Sequence, residues 1–493
     1  MKRLRPLLKD VKYIVVKGSD DVEINSIQMD SRKVTEGDLF FCISGFKVDG
    51  HNFAKDVAQK GAKVLIIEKD IDLSEIDNIR PDMTVIKVAD SRWAMAFISA
   101  AYYDHPADKL KIIGITGTKG KTTSTYLIKS ILDNAGIKTG LIGSIEVIIG
   151  DKRIPAVNTT PESFLLQDFF HQMVEEGIQV VVMEVASQGL KLHRTQGFTF
   201  DLGVFTNLSR DHIGPNEHES MEEYIECKSR LFKQCKKGIV NADDPNLLKV
   251  IEGHTCNLET FGFNEGASFS ASNLKLVHKV GELGIAFDVK GDVKMSVEVS
   301  TPGKFSVYNA LTAIAVCSHL GVDKDVMKEA LKHAKAKGRI EMVETPYPFT
   351  LLIDYAHNQF ALESLLSTLR EYEPNRLICL FGCGGDRSPE RRFSMGEVSG
   401  KLADLTIITS DNPRSEDPLE IIKNIRTGIE RTKGKFVEIV DRKDAIRYAI
   451  NNGKPHDIIV LAGKGHEDYQ EIKGVKYPMD ERVIIKEILE ENK

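Results

Sequence analysis

The strongest chemical signal in this chain is a run of seven residues, Gly117-Thr118-Lys119-Gly120-Lys121-Thr122-Thr123. An apolar β-branched run, Ile112 to Ile115, precedes it. A helical pattern follows, with Tyr126, Leu127, Ile131, Leu132 and Ala135 on one face and Gly136 as a stop. Strand, glycine loop and helix N-terminus together make an anion site, because backbone N–H groups and the helix dipole converge there. Gly117 and Gly120 permit the turn. Lys121 is placed to reach terminal phosphates, and Thr122 to offer a hydroxyl to Mg²⁺. The full P-loop pattern has glycine where Ile115 stands, so this is a T-G-T-x-G-K-T variant. The strand before it and the helix after it weigh against a plain glycine turn with a surface lysine.

Further residues with chemical potential sit at the ends of apolar runs. Val180 to Val185 reads as a buried strand with one carboxylate, Glu184, near its carboxyl end. Ligands of open α/β sheets gather at such ends, so Glu184 is a Mg²⁺ candidate. Leu202 to Asn207 leads into Arg210-Asp211-His212, where His212 is a candidate to ligate a second metal or orient a phosphate, with a structural histidine as the even alternative. Lys228 falls on a helical pattern from Met221 to Phe232, and composition alone makes it a solvated lysine. Asn158-Thr159-Thr160-Pro161-Glu162 reads as a helix start, with Thr160 as N-cap and Pro161 at the first helical position. Asn309 passes as a helix-start residue. Ser31, in Asp30-Ser31-Arg32, passes as part of a turn.

Four more strand-like runs lie beyond residue 337. Each is followed at once by a polar cluster: Asp354-Tyr355-Ala356-His357-Asn358, Gly382 to Arg387, Asp411-Asn412-Pro413-Arg414, and Gly463-Lys464-Gly465-His466-Glu467. Four polar strand ends on one edge of a parallel sheet form a binding crevice. Arg387 and Arg414 suit a carboxylate, which guanidinium binds in a bidentate fork. A reaction coupling ATP to a carboxylate fits this combination, with the carboxylate attacking the γ-phosphate.

The elements that must hold these residues form an α/β fold with three domains, at 1–105, 106–336 and 337–493. The first is a small α/β unit, the central one a P-loop-type ATPase with a mostly parallel sheet, and the last a parallel sheet of buried strands with helices between. Hairpins are expected within 240–300. A length of 493 residues and 42% hydrophobic content suit roughly two to four soluble domains. A net charge of −6 gives no nucleic-acid footprint. Seven scattered cysteines without a C-x-x-C, and no apolar run of transmembrane length, predict buried free thiols in a cytoplasmic enzyme with no membrane partner. A monomer is the expected state.

Taken together, the motifs resemble the Mur ligases, most closely the MurE family of peptidoglycan assembly, over essentially the whole chain. The likeness rests on Asp30-Ser31-Arg32, the glycine loop, Asn158 to Glu162, Glu184-Val185, Thr206-Asn207-Leu208 through Asp211-His212, Lys228, Asn309, Gly338-Arg339, and the four polar clusters, in their order and spacing. The resemblance implies three domains, the last Rossmann-like, and ATP and Mg²⁺ as cofactors. It implies ATP-dependent addition of an amino acid to UDP-N-acetylmuramoyl-L-alanyl-D-glutamate through an acyl-phosphate and a tetrahedral intermediate.

It also implies roles by position. Gly117 through Thr123, Asn309, Arg339 and Asp354 serve ATP. Thr122, Glu184, His212 and a carbamylated Lys228 serve Mg²⁺, with Lys121, Glu184, His212 and Lys228 as the catalytic set. Ser31, Asn158, Thr159, Thr160, Ser187 and Arg194 meet the UDP-muramoyl substrate. Arg387, Asp411, Asn412, Arg414, Gly463 and Glu467 hold the incoming amino acid. The Asp-Asn-Pro-Arg form points to meso-diaminopimelate, because L-lysine lacks the carboxylate that Arg414 would pair with. The same ligation with L-lysine or another diamino acid, a paralogue with another acceptor, and an ATPase switch that forms no amide bond are the alternatives. Three departures stand out: Lys119 in place of the family's asparagine, Ala186-Ser187-Gln188 in place of S-S-H, and an altered segment at 213–218 with two extra residues before Lys228.

Overall fold

The computed structural model describes residues 1–45, 48–214 and 217–492. Pro215 and Asn216, within the altered segment, lie outside the described residues. Packing divides the chain into two compact units, Met1–Phe261 with Ala315–Leu320, and Gly262–Ile314 with Gly321–Lys493.

The first unit begins with a five-stranded sheet of β1 (Tyr13–Lys17), β2 (Ile27–Gln28), β3 (Leu39–Phe41), β4 (Val64–Ile67) and β5 (Thr84–Val88), in the order β1-β5-β4-β3-β2. The apolar runs at β3 and β4 are buried on both faces, one packing on Leu4, Leu7, Met95 and Ile98, the other on Val57, Ala58 and Ile76. Asp90 caps the helix Ser91–Tyr102 by accepting from Trp93 N at 2.8 Å.

The second sheet of this unit is built on β6 (Lys111–Thr116), which feeds the glycine loop and α1 (Lys121–Asn134). It continues with β7 (Thr139–Ile142), β8 (Glu146–Ile149), β9 (Lys152–Pro155), α2 (Ser163–Glu175), β10 (Val180–Glu184), α3 (Ser187–Lys191), β11 (Phe200–Phe205), α4 (Met221–Ser229), β12 (Cys235–Asn241) and β13 (Asn257–Gly262). The order is β9-β8-β7-β10-β6-β11-β12-β13, parallel from β7 to β13, with β8 and β9 antiparallel. The carboxyl ends of β6, β10 and β11 therefore lie side by side, which brings the glycine loop, Glu184 and Thr206 to one edge.

The second unit opens with an antiparallel meander of β14 (Phe269–Lys279), β15 (Glu282–Gly291) and β16 (Met295–Val299), as the alternating pattern predicts. After the helices Lys304–His319 and Lys324–His333 comes a six-stranded sheet. Its strands are β17 (Glu341–Val343), β18 (Thr350–Asp354), β19 (Leu377–Phe381), β20 (Leu405–Ile408), β21 (Phe436–Glu438) and β22 (Ile458–Ala462), ordered β17-β18-β22-β19-β20-β21. All neighbours except β17 and β18 run parallel. Apolar clusters cover both faces, so the strands read as continuous hydrophobic runs. A hairpin of β23 (Tyr469–Ile472) and β24 (Val475–Pro478) follows β22. The four polar clusters thus share the carboxyl edge of four adjacent parallel strands.

All seven cysteines are free and buried. Among the described residues, no helix is long and apolar enough to cross a membrane.

Candidate functional site

Backbone geometry shapes the phosphate loop. Gly117 has φ 151°, and a Cβ there would stand 2.0 Å from Thr206 Oγ1. Only glycine lets β11 approach so closely. Thr206 and Asn207 brace the loop from that side: Thr206 Oγ1 donates to Lys119 O at 2.7 Å, and the Asn207 amide accepts from Lys119 N at 2.9 Å and donates to Lys119 O at 2.9 Å. Gly120, at φ 86°, turns the chain into α1. Lys121 folds back over the loop, donating to Gly117 O at 2.8 Å and Thr118 O at 3.1 Å. Thr123 follows it on the first turn of α1, partly exposed.

Glu184 is 1% exposed at the end of β10. Thr122 Oγ1 lies 3.0 Å from each of its carboxylate oxygens. Ser144 adds two bonds, from its N at 2.8 Å and its Oγ at 3.0 Å. Ser144, just past β7, was invisible in the sequence, because only fold topology brings it to β10. A hard cation takes oxygen ligands, and the Glu184 carboxylate and the Thr122 hydroxyl supply them side by side. This donor set fits Mg²⁺, with Thr122 and Glu184 to hold it.

Lys228 is not the solvated lysine that composition predicts. It is 1% exposed. Its Nζ donates to Gly117 O at 3.0 Å and lies 4.5 Å from the centroid of the Tyr224 ring. Burial, helped by the nearby Lys121 charge, pushes its ammonium well below the ordinary lysine value. The pattern of α4 misleads because Glu222, Glu223 and Glu226 mark a wet face, while tertiary packing against the loop decides where Lys228 goes. Burial that disfavours the ammonium favours the nucleophilic amine, the form that carbamylation needs.

His212 has φ 55° and a half-exposed ring, with Nδ1 3.3 Å from Glu217 Oε1. Its ring centroid lies 6.2 Å from that of Tyr224, the same ring that Lys228 faces. The buried histidine of this segment is His218, 2.8 Å through Nε2 from Ser187 Oγ. Burial lowers its pKa from the ordinary value.

The muramoyl candidates cluster beside Glu184. Thr160 is not an N-cap, and Pro161 does not begin a helix: α2 starts at Ser163, after Glu162. The Thr160 hydroxyl instead ties β10 to α3, donating to Glu184 O at 3.0 Å and accepting from Ala186 N at 2.9 Å. Arg194 donates to Thr160 O at 3.0 Å and pairs with Glu162 at 2.7 Å. Thr159 Oγ1 is 3.0 Å from Ser144 Oγ, and Asn158 is exposed. Ser31 lies apart in the first sheet's loops, its carbonyl accepting from Lys60 at 2.7 Å. Between these regions lies a cleft of about 340 Å³, lined by Ser44, Gly45, Glu68, Asp90, Arg92, Lys191, Leu192 and His193. Charged residues of both signs line it, and they were also missed because no motif joins them.

The remaining ATP candidates belong to the second unit. Asn309 lies on the second turn of the helix Lys304–His319, not at its start. Arg339 stacks on Tyr355, 4.7 Å from the ring centroid. Asp354 accepts from Ile340 N and Ala356 N, both at 2.8 Å, and burial raises its pKa.

The amino-acid candidates converge around the loops after β19, β20 and β22. Asn412 Nδ2 donates to Glu467 Oε2 at 2.9 Å, and Asn412 N to Asp411 Oδ1 at 2.7 Å. Arg414, at φ 52°, donates through Nη1 to Gly385 O at 2.6 Å and through Nε to Glu471 Oε2 at 3.3 Å. Gly463, at φ 106°, would bring a Cβ to 3.0 Å from Asp411 Oδ2. Arg387 is exposed on the neighbouring loop.

Family comparison agrees with this arrangement. The Mur ligase family catalytic domain matches residues 23–103, the Mur ligase middle domain 115–317, and the Mur ligase glutamate ligase domain 338–465. UDP-N-acetylmuramoyl-L-alanyl-D-glutamate–2,6-diaminopimelate ligase of Caldanaerobacter subterraneus subsp. tengcongensis is 46% identical over 492 residues, 99% of each chain. The chain belongs to the Mur ligase family. A solved Mur ligase of the same name shares 28% identity, with a TM-score of 0.69 over 95% of each chain. MurF ligase from Thermotoga maritima, solved in complex with ADP, shares the fold at 19% identity and TM-score 0.58, covering 95% of this chain and 96% of that one.

Proposed function

We propose that this Mur ligase joins meso-diaminopimelate to the D-glutamate of UDP-N-acetylmuramoyl-L-alanyl-D-glutamate, converting ATP to ADP and phosphate. The observation that carries this is likeness along the full length to a diaminopimelate ligase, with every motif from the glycine loop to Glu467 inside the matched span. The chain works as three domains, 1–105, 106–336 and 337–493, a division supported by the three family matches.

Gly117 to Thr123 cradle the ATP phosphates, Lys121 swings from its carbonyl contacts to the γ-phosphate, and Asn309, Arg339 and Asp354 complete the nucleotide site. Ser31, Asn158, Thr159, Thr160, Ser187 and Arg194 hold the UDP-muramoyl dipeptide. Its carboxylate oxygen attacks the γ-phosphorus, the β–γ bridge P–O bond breaks, and ADP leaves. The amine of the incoming diamino acid attacks the acyl carbon. A tetrahedral intermediate loses a proton and expels phosphate as the C–N bond is completed. Thr122, Glu184, His212 and a carbamylated Lys228 would hold Mg²⁺, which would supply charge neutralisation for the phosphates. Arg414 reads the distal carboxylate of diaminopimelate and Glu467 its distal ammonium, with Arg387, Asp411, Asn412 and Gly463 shaping the pocket. The enzyme acts as a cytoplasmic monomer.

Mass spectrometry of the nucleotide product tests this. A gain of one diaminopimelate less one water, with one ADP formed per product, is the expected result. ADP formation with an unaltered acceptor would refute ligation.

A further inference from the structure

At the centre of the amino-acid cluster lies Lys464, a residue with no role assigned above. It is 0% exposed, two residues beyond the end of β22. An ammonium has three donors and no acceptor. Here the three go to Asn412 Oδ1 at 2.9 Å, Glu467 Oε2 at 2.8 Å and the carbonyl of Tyr469. The ammonium also lies 5.1 Å from the centroid of the Tyr469 ring.

This contact set settles the orientation of both neighbours. Asn412 Oδ1 takes Lys464 Nζ and, at 2.9 Å, Glu471 N, so the Asn412 NH₂ must face Glu467, where it donates to Oε2 at 2.9 Å. Oε2 of Glu467 thus accepts two bonds, while Oε1 takes none among the described residues. The buried cation also has its paired anion in place, which a lysine without solvent requires.

We propose that Lys464 is a positioning residue of the amino-acid site. It locks Asn412 and Glu467 into one rigid triad and turns the second oxygen of Glu467 toward an incoming ammonium. The inference rests on the ligase function proposed above. Its physical basis is preorganisation: a carboxylate already held in place loses less freedom when a diamino acid binds.

Steady-state kinetics of the full-length enzyme test it, with KM measured separately for meso-diaminopimelate and for ATP. Lys464→Met raises the diaminopimelate KM by about tenfold to a hundredfold, the range for losing a hydrogen bond to a charged group, and moves the ATP KM less than about twofold. On a Glu467→Gln background the same substitution adds little, because Lys464 acts through Glu467. An unchanged diaminopimelate KM, equal rises in both KM values, or additive effects in the double variant would each overturn the proposal. If Lys464→Met does not fold, Lys464→Arg carries the comparison: it keeps the charge but displaces Glu467, and a diaminopimelate KM unmoved by it counts against the proposal. A wild-type enzyme that forms no ADP with any amino acid overturns the ligase function itself. An active wild type with an unaltered variant overturns only the role of Lys464.

Discussion

The phosphate edge of the first unit and the amino-acid edge of the second solve opposite problems. At the phosphate edge, ionisable groups are buried with mostly neutral hydrogen-bond partners. Glu184 is met by Thr122 and Ser144, and Lys228 by a carbonyl and an aromatic ring. At the amino-acid edge, charges are already matched: Lys464 with Glu467 at 2.8 Å and Arg414 with Glu471 at 3.3 Å. Under the proposed function, the first arrangement is the one that a metal and phosphates would complete. The second has its ion pairs made beforehand and, under the proposed function, selects with the groups left over, Glu467 Oε1 among them. On that reading, chemistry sits where charge is least paired, and specificity where ion pairs are already made.

The largest effect that sharpens this contrast is expected at Lys228. Lys228→Ala lowers kcat about a thousandfold with every amino acid, and short carboxylates restore part of it by replacing the carbamate. Near-normal turnover in that variant would remove the distinction between the two edges. Next comes Gly117→Ala. Its methyl meets Thr206 Oγ1, and we expect a loss of about 1–3 kcal/mol in unfolding free energy together with weakened nucleotide binding by calorimetry. Arg414→Ala acts on selection alone: the diaminopimelate KM rises about tenfold or more while the ATP KM holds. A change in the ATP KM of similar size would show that the two edges do not divide the work.

The smallest expected effect concerns His466. Burial and the neighbouring Arg339 charge hold it at about 4, against an ordinary 6.5. The folded ring stays neutral where the unfolded chain takes up a proton. This stability contribution is therefore whole above pH 6.5 and is lost as pH falls toward 4. In His466→Gln, urea titrations across that window show an acid decline shallower by about 1–2 kcal/mol. An unchanged slope would deny His466 its buried, neutral state.

Much of this was legible in sequence, for a physical reason. Parallel strands covered on both faces must be continuous apolar runs, so Leu377–Phe381 and Ile458–Ala462 announce themselves, and the polar residues that follow mark the ligand edge. The glycine loop is contiguous and carries its own signal. Strand order is not legible: nothing in Ile458–Ala462 says that it inserts between Thr350–Asp354 and Leu377–Phe381. Groups assembled by that order stay hidden with it, as Ser144 beside Glu184 shows. Lys228 and Thr160 were misplaced by local rules, charge pattern for one and capping preference for the other, because tertiary contacts override both.

The central claim is that one chain couples ATP cleavage to addition of a diamino acid chosen by its distal carboxylate. The direct measurement is ADP release by the purified enzyme with ATP, Mg²⁺ and UDP-N-acetylmuramoyl-L-alanyl-D-glutamate, comparing meso-diaminopimelate, L-lysine and no amino acid. Sustained release with meso-diaminopimelate alone is the predicted result. Equal release in all three would contradict it.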